Sequence, residues 1–358
     1  MSNKFCRYLT NGIRVQSWGN KLAAAPCCYT LPYTALDDPT FDAKFDEYRR
    51  LDKCDQCAGR IPSDPTYYVR RSFVDIEDCE HTHPVHAEIS IDTKCNAACL
   101  SCDDTLSSYW AEQNIKFGIK TADDYPDILP DEEVVQQVFD KFNFAYVKKL
   151  NLIGGEPMVS RANLLFLERL IEMGFSKNIE VLITTNGSTH AVYRHIELLQ
   201  QFKKITFTYS VDGVGERFQY LRYPLKWEKL QTVVDTAKSI GAKINVNSTI
   251  DPLNIFYINE IKQWVSDCFD NYDNFNDCHY PPAQGIMSLD ALPIKARQDL
   301  FRQHGNDPTI RSLIYGSRPS EHAIKNFLDH LDFWDQCREL DWKQVFPAAV
   351  PYYSDYYK

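Results

Sequence analysis

The segment KCNAACLSCDD places three thiols, Cys95, Cys99 and Cys102, at the spacing C-x3-C-x2-C. Three thiolates so close together suit an iron–sulfur cluster that keeps one iron without a protein ligand. Structural zinc takes four protein ligands, so zinc here would need a carboxylate such as Asp103 or Asp104 to complete it. The chain holds 12 cysteines in 358 residues, and most lie before residue 103. Cys54 and Cys57 form a CxxC pair, and Cys6 with Cys27 or Cys28 can complete a four-thiolate set. Such a set accepts either an iron–sulfur cluster or zinc. Cys79 stands in CEHTHPVH with His81, His83 and His86, where a metal site competes with a surface or channel segment. Cys268, Cys278 and Cys337 are isolated and read as small buried hydrophobes.

Composition limits what those thiols can be for. No apolar run approaches the ~18 residues of a membrane span. The N-terminus MSNKFCRYLT lacks the apolar stretch of a signal peptide. The chain therefore reads as cytoplasmic, where thiols stay reduced and clustered cysteines bind metal or catalyse. A net charge of −10 argues against a nucleic-acid groove.

The elements that must position the thiols alternate from residue 85 onward. Strands are predicted at Ala87–Asp92, Lys149–Ile153, Ile179–Thr184, Ile205–Val211 and Lys243–Ile250, with a short last one near His279–Tyr280. Helices are predicted at Leu106–Gln113, Asp131–Phe142, Ala162–Met173, His190–Phe202, Trp227–Ile240 and Ile255–Val265. Gly174 and Gly241 mark two of the helix ends. Strands separated by helices of this length mean βαβ units and a parallel sheet, an α/β fold. Six strands fall short of the eight that close a full barrel. Residues 1–84 are irregular apart from a helix near Phe41–Leu51 and a hairpin within FCRYLTNGIRVQSWGNKLAAAPCCY.

Strand polarity adds a constraint. In KITFTYSVD, Ile205, Phe207, Tyr209 and Val211 share one face, and Thr206, Thr208, Ser210 and Asp212 share the other. AEISID and INVNST alternate in the same way. A doubly wound sheet is apolar on both faces, so these strands predict a sheet with helices on one side and a polar ligand-holding interior on the other. Edge strands facing water are the alternative.

The triad falls just after the first of these strands, at its C-terminal end. GGEP at Gly154–Pro157 ends the second, TTNG at Thr184–Gly187 the third and SVDG at Ser210–Gly213 the fourth. Four motifs in order, each at a strand end, resemble the radical S-adenosylmethionine (SAM) enzymes over residues 85–282. The resemblance implies a partial (β/α)6 barrel with a 4Fe–4S cluster on Cys95, Cys99 and Cys102. It also implies SAM as cofactor, and reductive cleavage of SAM to a 5′-deoxyadenosyl radical that abstracts hydrogen. By the same resemblance Gly154, Gly155 and Glu156 meet the methionine moiety, and Ser210 and Asp212 lie near the ribose. Arg222 becomes a candidate for the SAM carboxylate, against a plain helix-surface charge. Asn186 is either a SAM contact or a turn residue. Ser101 stands where many members carry an aromatic residue that packs on the adenine.

The cysteines at 6, 27, 54 and 57 look like the auxiliary 4Fe–4S set of twitch-domain relatives of the SPASM group, here within residues 1–84. The tail segments at 281–293 and 330–347 are similar to theirs. Residues 283–358 would form a mostly helical extension. The resemblance further implies an electron donor such as flavodoxin or ferredoxin. A peptide is the expected substrate, because the tail ends AAVPYYSDYYK and exposed aromatics suit recognition. A small molecule (a sugar, nucleoside or amino acid) is the alternative, as is a tail that covers the open side of the barrel. A zinc-stabilised binding protein is a third reading, which leaves the triad and GGEP unexplained.

Overall fold

The computed structural model describes residues 12–18, 20–26, 33–49, 83–187, 191–268, 274–277 and 285–357. Cys6, Cys27, Cys28, Cys54, Cys57, Cys79, His81 and Cys278 lie outside the described residues, so the expectations placed on them are not addressed by the structure.

The chain begins with strands β1 (Gly12–Trp18), β2 (Lys21–Ala25) and β3 (Thr34–Ala35), then helix α1 (Phe41–Arg49). Next come β4 (His86–Ser90), α2 (Ser108–Lys116), α3 (Asp131–Lys141), β5 (Lys149–Leu152), α4 (Arg161–Glu172), β6 (Glu180–Thr185) and α5 (Ala191–Leu199). β7 (Lys204–Ser210), α6 (Glu216–Leu221), α7 (Trp227–Ser239), β8 (Lys243–Ile250), α8 (Ile258–Cys268) and β9 (Asn274–Asp277) follow. α9 (Ile294–His304), α10 (Pro308–Gly316) and α11 (Glu321–Arg338) lead to two short turns of helix ending at Tyr353. The strands hydrogen-bond in the order β3-β2-β1-β4-β5-β6-β7-β8-β9. This is an α/β fold around an open, mostly parallel sheet, as a radical SAM partial barrel requires.

Five of the six expected barrel strands appear within a residue or two of their predicted bounds. The sixth, β9, lies a few residues earlier than the expected His279–Tyr280, which falls outside the described residues. α6 was not foreseen, because six residues are too few for a helical period to show. The expected hairpin does form: β1 pairs antiparallel with β2, and β1 then runs parallel beside β4. The N-terminal strands thus extend the same sheet.

By contacts the chain divides into two compact units. The first comprises Met1–Lys94, Asp123–Thr184 and Ala191–Phe207; the second comprises Cys95–Ala122, Thr185–His190 and Thr208–Lys358. In the first, Ile13, Val15, Ala87, Ile89, Leu150 and Leu152 bury the apolar strand face. α3 and α4 belong to the same core, with Phe139, Phe144 and Phe166 packed ring on ring. Phe166 is fully buried; truncating such a ring typically costs about 3–5 kcal/mol. The opposite face carries a polar ladder. Arg14 pairs with Glu88, and Glu88 accepts from Asn151 Nδ2 at 2.9 Å. These three residues lie opposite one another in register on β1, β4 and β5.

In the second unit α11 dominates. Ser320 caps its first turn by accepting from the Ala323 amide, the usual service of an N-cap serine. Its buried side joins Leu100, Tyr220, Leu221, Trp342, Phe346 and Tyr353 in one core. The aromatic tail is therefore divided between core and surface. Phe327, Trp334, Trp342, Phe346 and Tyr353 are buried, while Phe301, Tyr315, Phe333, Tyr356 and Tyr357 are exposed. The buried rings gain their free energy from the core, and the exposed ones leave part of the surface on which the peptide expectation relied.

Candidate metal centre

The three thiols occupy a loop that the second unit fixes atom by atom. Ser107 caps α2 through the Trp110 amide and donates its own hydroxyl hydrogen to the Ala97 carbonyl at 2.6 Å. Trp110 Nε1 donates to the Cys99 carbonyl at 2.8 Å. The Cys95 amide donates to Ser108 Oγ. On the far side the amides of Ala98 and Leu100 donate to the carbonyls of Tyr223 and Leu221, 2.7 and 2.9 Å away. A polar backbone segment held at so many points keeps its conformation before any ligand arrives.

Charge gathers around the loop. Arg222 is buried, with Nη2 2.7 Å from Asp212 Oδ2 and Nη1 directed at Cys99 Sγ, 3.8 Å away. The reading of Arg222 as a surface charge is corrected by this burial: the helix before it turns its end inward. Asp212 accepts from the Thr249 amide at 2.8 Å through its other oxygen. Both oxygens have protein partners, so Asp212 orients Arg222, and each oxygen keeps a further lone pair with which it could accept. Ser210 is half-buried at the end of β7. Asn186 is buried and donates to Asn96 Oδ1 at 2.8 Å, which braces the residue following Cys95.

Burial pushes the Cys99 thiol up, against the pull of Arg222. Burial pushes Cys102 up further, and the neighbouring Cys99 and Cys95 add to it. Thiols whose ionisation is opposed in this way become thiolates readily beside a cationic centre, which a metal supplies. Among the described residues no three His, Cys, Asp or Glu side chains converge as a single ion demands. In a cluster each thiolate takes its own iron, so the sulfurs stand apart. Arg222 Nε and Arg338 Nε are buried without a hydrogen-bond partner in the protein. Donor set and cationic surroundings both fit an anionic iron–sulfur cluster.

The first unit holds the glycine turn. Gly154 has φ +99°, a backbone that L side chains rarely adopt, and a Cβ on it would collide with Ser90. A Cβ on Gly155 would strike the Lys94 backbone. The Glu156 amide donates to the Lys94 carbonyl at 2.7 Å, and its carboxylate accepts from the Met158 amide at 3.0 Å. Nearby, Ser160 caps α4 and donates to the buried Asp92. The glycines thus serve close packing beneath the exit of β4.

Among the histidines of CEHTHPVH, His83 stacks on Tyr146 and His86 is buried on β4. Burial pushes His86 down to about 4, which keeps it neutral. Cys268 and Cys337 are half-buried rather than buried. Arg338, Trp110 and Asn96 were missed by sequence reading. Trp334 and Arg338 do share one helix face at i, i+4, and that spacing was the available signal.

The Radical SAM superfamily model matches residues 89–266. The GTP 3′,8-cyclase of Rhizobium leguminosarum bv. trifolii (strain WSM2304) is 28% identical over 165 residues, covering 46% of this chain and 42% of that protein. The chain thus spans less than half the length of that curated relative. The GTP 3′,8-cyclase of Campylobacter lari is 21% identical over 267 residues, 71% of this chain and 76% of that protein. A solved structure described as native anSMEcpe with bound AdoMet shares 20% identity and a TM-score of 0.42, covering 66% of this chain and 63% of that one.

Proposed function

We propose, from the match of the Radical SAM superfamily model to residues 89–266, that this chain is a radical SAM enzyme that cleaves SAM reductively and uses the 5′-deoxyadenosyl radical to abstract hydrogen from a small polar substrate. The observation that carries this reading is the three-thiol loop in its cationic setting. A 4Fe–4S cluster, when bound by Cys95, Cys99 and Cys102, supplies the electron that breaks the sulfonium bond. The chain's own residues hold and shield that site. Arg222 and the Trp110 contact fix the Cys99 segment. Glu156 is the proposed acceptor for the SAM ammonium, a charge-assisted bond, and Arg222 the proposed partner for its carboxylate. Asn186 and Ser210 are proposed as nearby polar contacts.

The small-molecule reading is proposed ahead of the peptide one, which the exposed tail rings Tyr315, Tyr356 and Tyr357 leave open. The strand face bearing Arg14, Glu88 and Asn151 is polar, as a polar substrate requires. The curated relatives are named for GTP, a nucleotide, which supports the same direction.

A second metal centre on Cys6, Cys27 or Cys28, Cys54 and Cys57 is proposed from their spacing alone, with an iron–sulfur cluster preferred to zinc. A flavodoxin- or ferredoxin-type donor is the proposed reductant. No helix of the described residues is long and apolar enough to cross a membrane.

The test is anaerobic reconstitution followed by dithionite and SAM, with 5′-deoxyadenosine measured. Slow release without substrate is expected, and nucleotides, sugars or amino acids should accelerate it. Fully iron-loaded protein that never releases 5′-deoxyadenosine would overturn the enzyme reading. Acceleration by peptides and not by small molecules would restore the peptide substrate.

A further inference from the structure

The last turn of α11 carries a side chain that neither the motifs nor the family assigns. Arg338 is buried and donates through Nη2 to the Ala98 carbonyl, 3.2 Å away. Its guanidinium carbon lies 4.6 Å from the ring centre of Tyr223 and 4.8 Å from those of Trp110 and Trp334. Among the described residues no carboxylate forms an ion pair with it. Arg222 differs, since Asp212 neutralises it. Of the two buried arginines at the loop, Arg338 therefore leaves a net positive charge.

A buried cation without an anion is costly, and cation–π contacts offset only part of that cost. Ala98, the residue it grips, adjoins Cys99. Reducing an iron–sulfur cluster by one electron adds a negative charge, and a fixed cation in a low-dielectric setting favours that state. We infer that Arg338 is a positioning residue for the cysteine loop and a fixed charge that raises the reduction potential of the cluster held there. The inference rests on the cluster reading above.

The experiment compares wild type, Arg338→Lys and Arg338→Gln. Both variants keep an N–H donor for the Ala98 carbonyl, and they differ in charge. Each is reconstituted anaerobically, analysed for iron, and titrated with dithionite while the reduced cluster is followed by electron paramagnetic resonance. Variants with Cys95, Cys99 and Cys102 intact and Cys6, Cys27, Cys28, Cys54 and Cys57 replaced by Ala isolate the signal of this cluster. The expected result is a midpoint near wild type for R338K and a more negative one for R338Q, with iron content equal. Loss of iron in R338Q alone, with R338K loaded, would equally show that the charge is needed. A wild-type midpoint in R338Q would overturn the inference. Equal loss of iron in both variants would reduce Arg338 to a packing residue and overturn it too. Absence of any cluster in the loop of the wild type would instead overturn the underlying reading, and this inference with it.

Discussion

The Glu156 amide donates to the Lys94 carbonyl at 2.7 Å, which ties the glycine turn to the residue just before Cys95 in the chain. Gly155 allows this approach, because any side chain there would meet the Lys94 backbone. Gly155→Ala should therefore displace the turn. Gly154→Ala should cost at least about 1–2 kcal/mol from its left-handed backbone, before the clash with Ser90 is counted. Thermal or urea denaturation of both variants should show the loss, and SAM turnover should fall with it. Wild-type stability in both would contradict the packing described.

Replacing Cys95, Cys99 and Cys102 together by Ala should abolish SAM cleavage. The same protein should keep metal at the N-terminal cysteines, about four irons by cluster stoichiometry. Iron, zinc and sulfide analysis decides the matter. Zinc without iron would turn the proposed auxiliary cluster into a structural site.

Asp212→Asn strips a buried ion pair of its anion and leaves Arg222 uncompensated. Breaking one side of such a pair typically costs about 3–5 kcal/mol. Chemical denaturation of the metal-free protein should show a loss of that order. Adding Arg222→Met to the same protein should recover much of it, because the orphaned charge is then gone. A double variant no more stable than D212N would show that the two residues act separately.

Stability should fall on the acid side. Burial lowers His86 to about 4, and burial with the Arg338 charge lowers His330 to about 4. The unfolded chain, with ordinary histidines, then binds more protons between roughly pH 6.5 and 4. Stability is therefore full above about pH 6.5 and declines as pH falls toward 4, by up to about 3 kcal/mol per histidine. His86→Gln should flatten its share of that slope in urea titrations at a series of pH values. An unchanged slope would show that His86 is not held neutral.

Much of this was legible in the sequence because it is local. Thiol spacing is local, and so is the period-2 alternation of KITFTYSVD, which β7 bears out with Phe207 and Tyr209 buried and the threonines half-buried. The motifs at the strand ends needed only the order of elements. What sequence left open depended on partners far along the chain. Arg222 could be a surface charge or a ligand until Asp212 and Cys99 were found beside it. The sequence did not say which tail rings were core and which surface; Trp342, Phe346 and Tyr353 pack with Leu100 and Tyr220, while Tyr356 and Tyr357 are exposed. Arg338 shares a helix face with Trp334, but nothing local pointed to the Ala98 carbonyl it grips, 240 positions away. Side-chain chemistry and periodicity are properties of neighbours in the chain and determine the fold class, whereas burial and charge pairing are properties of neighbours in space, which only the packed structure decides.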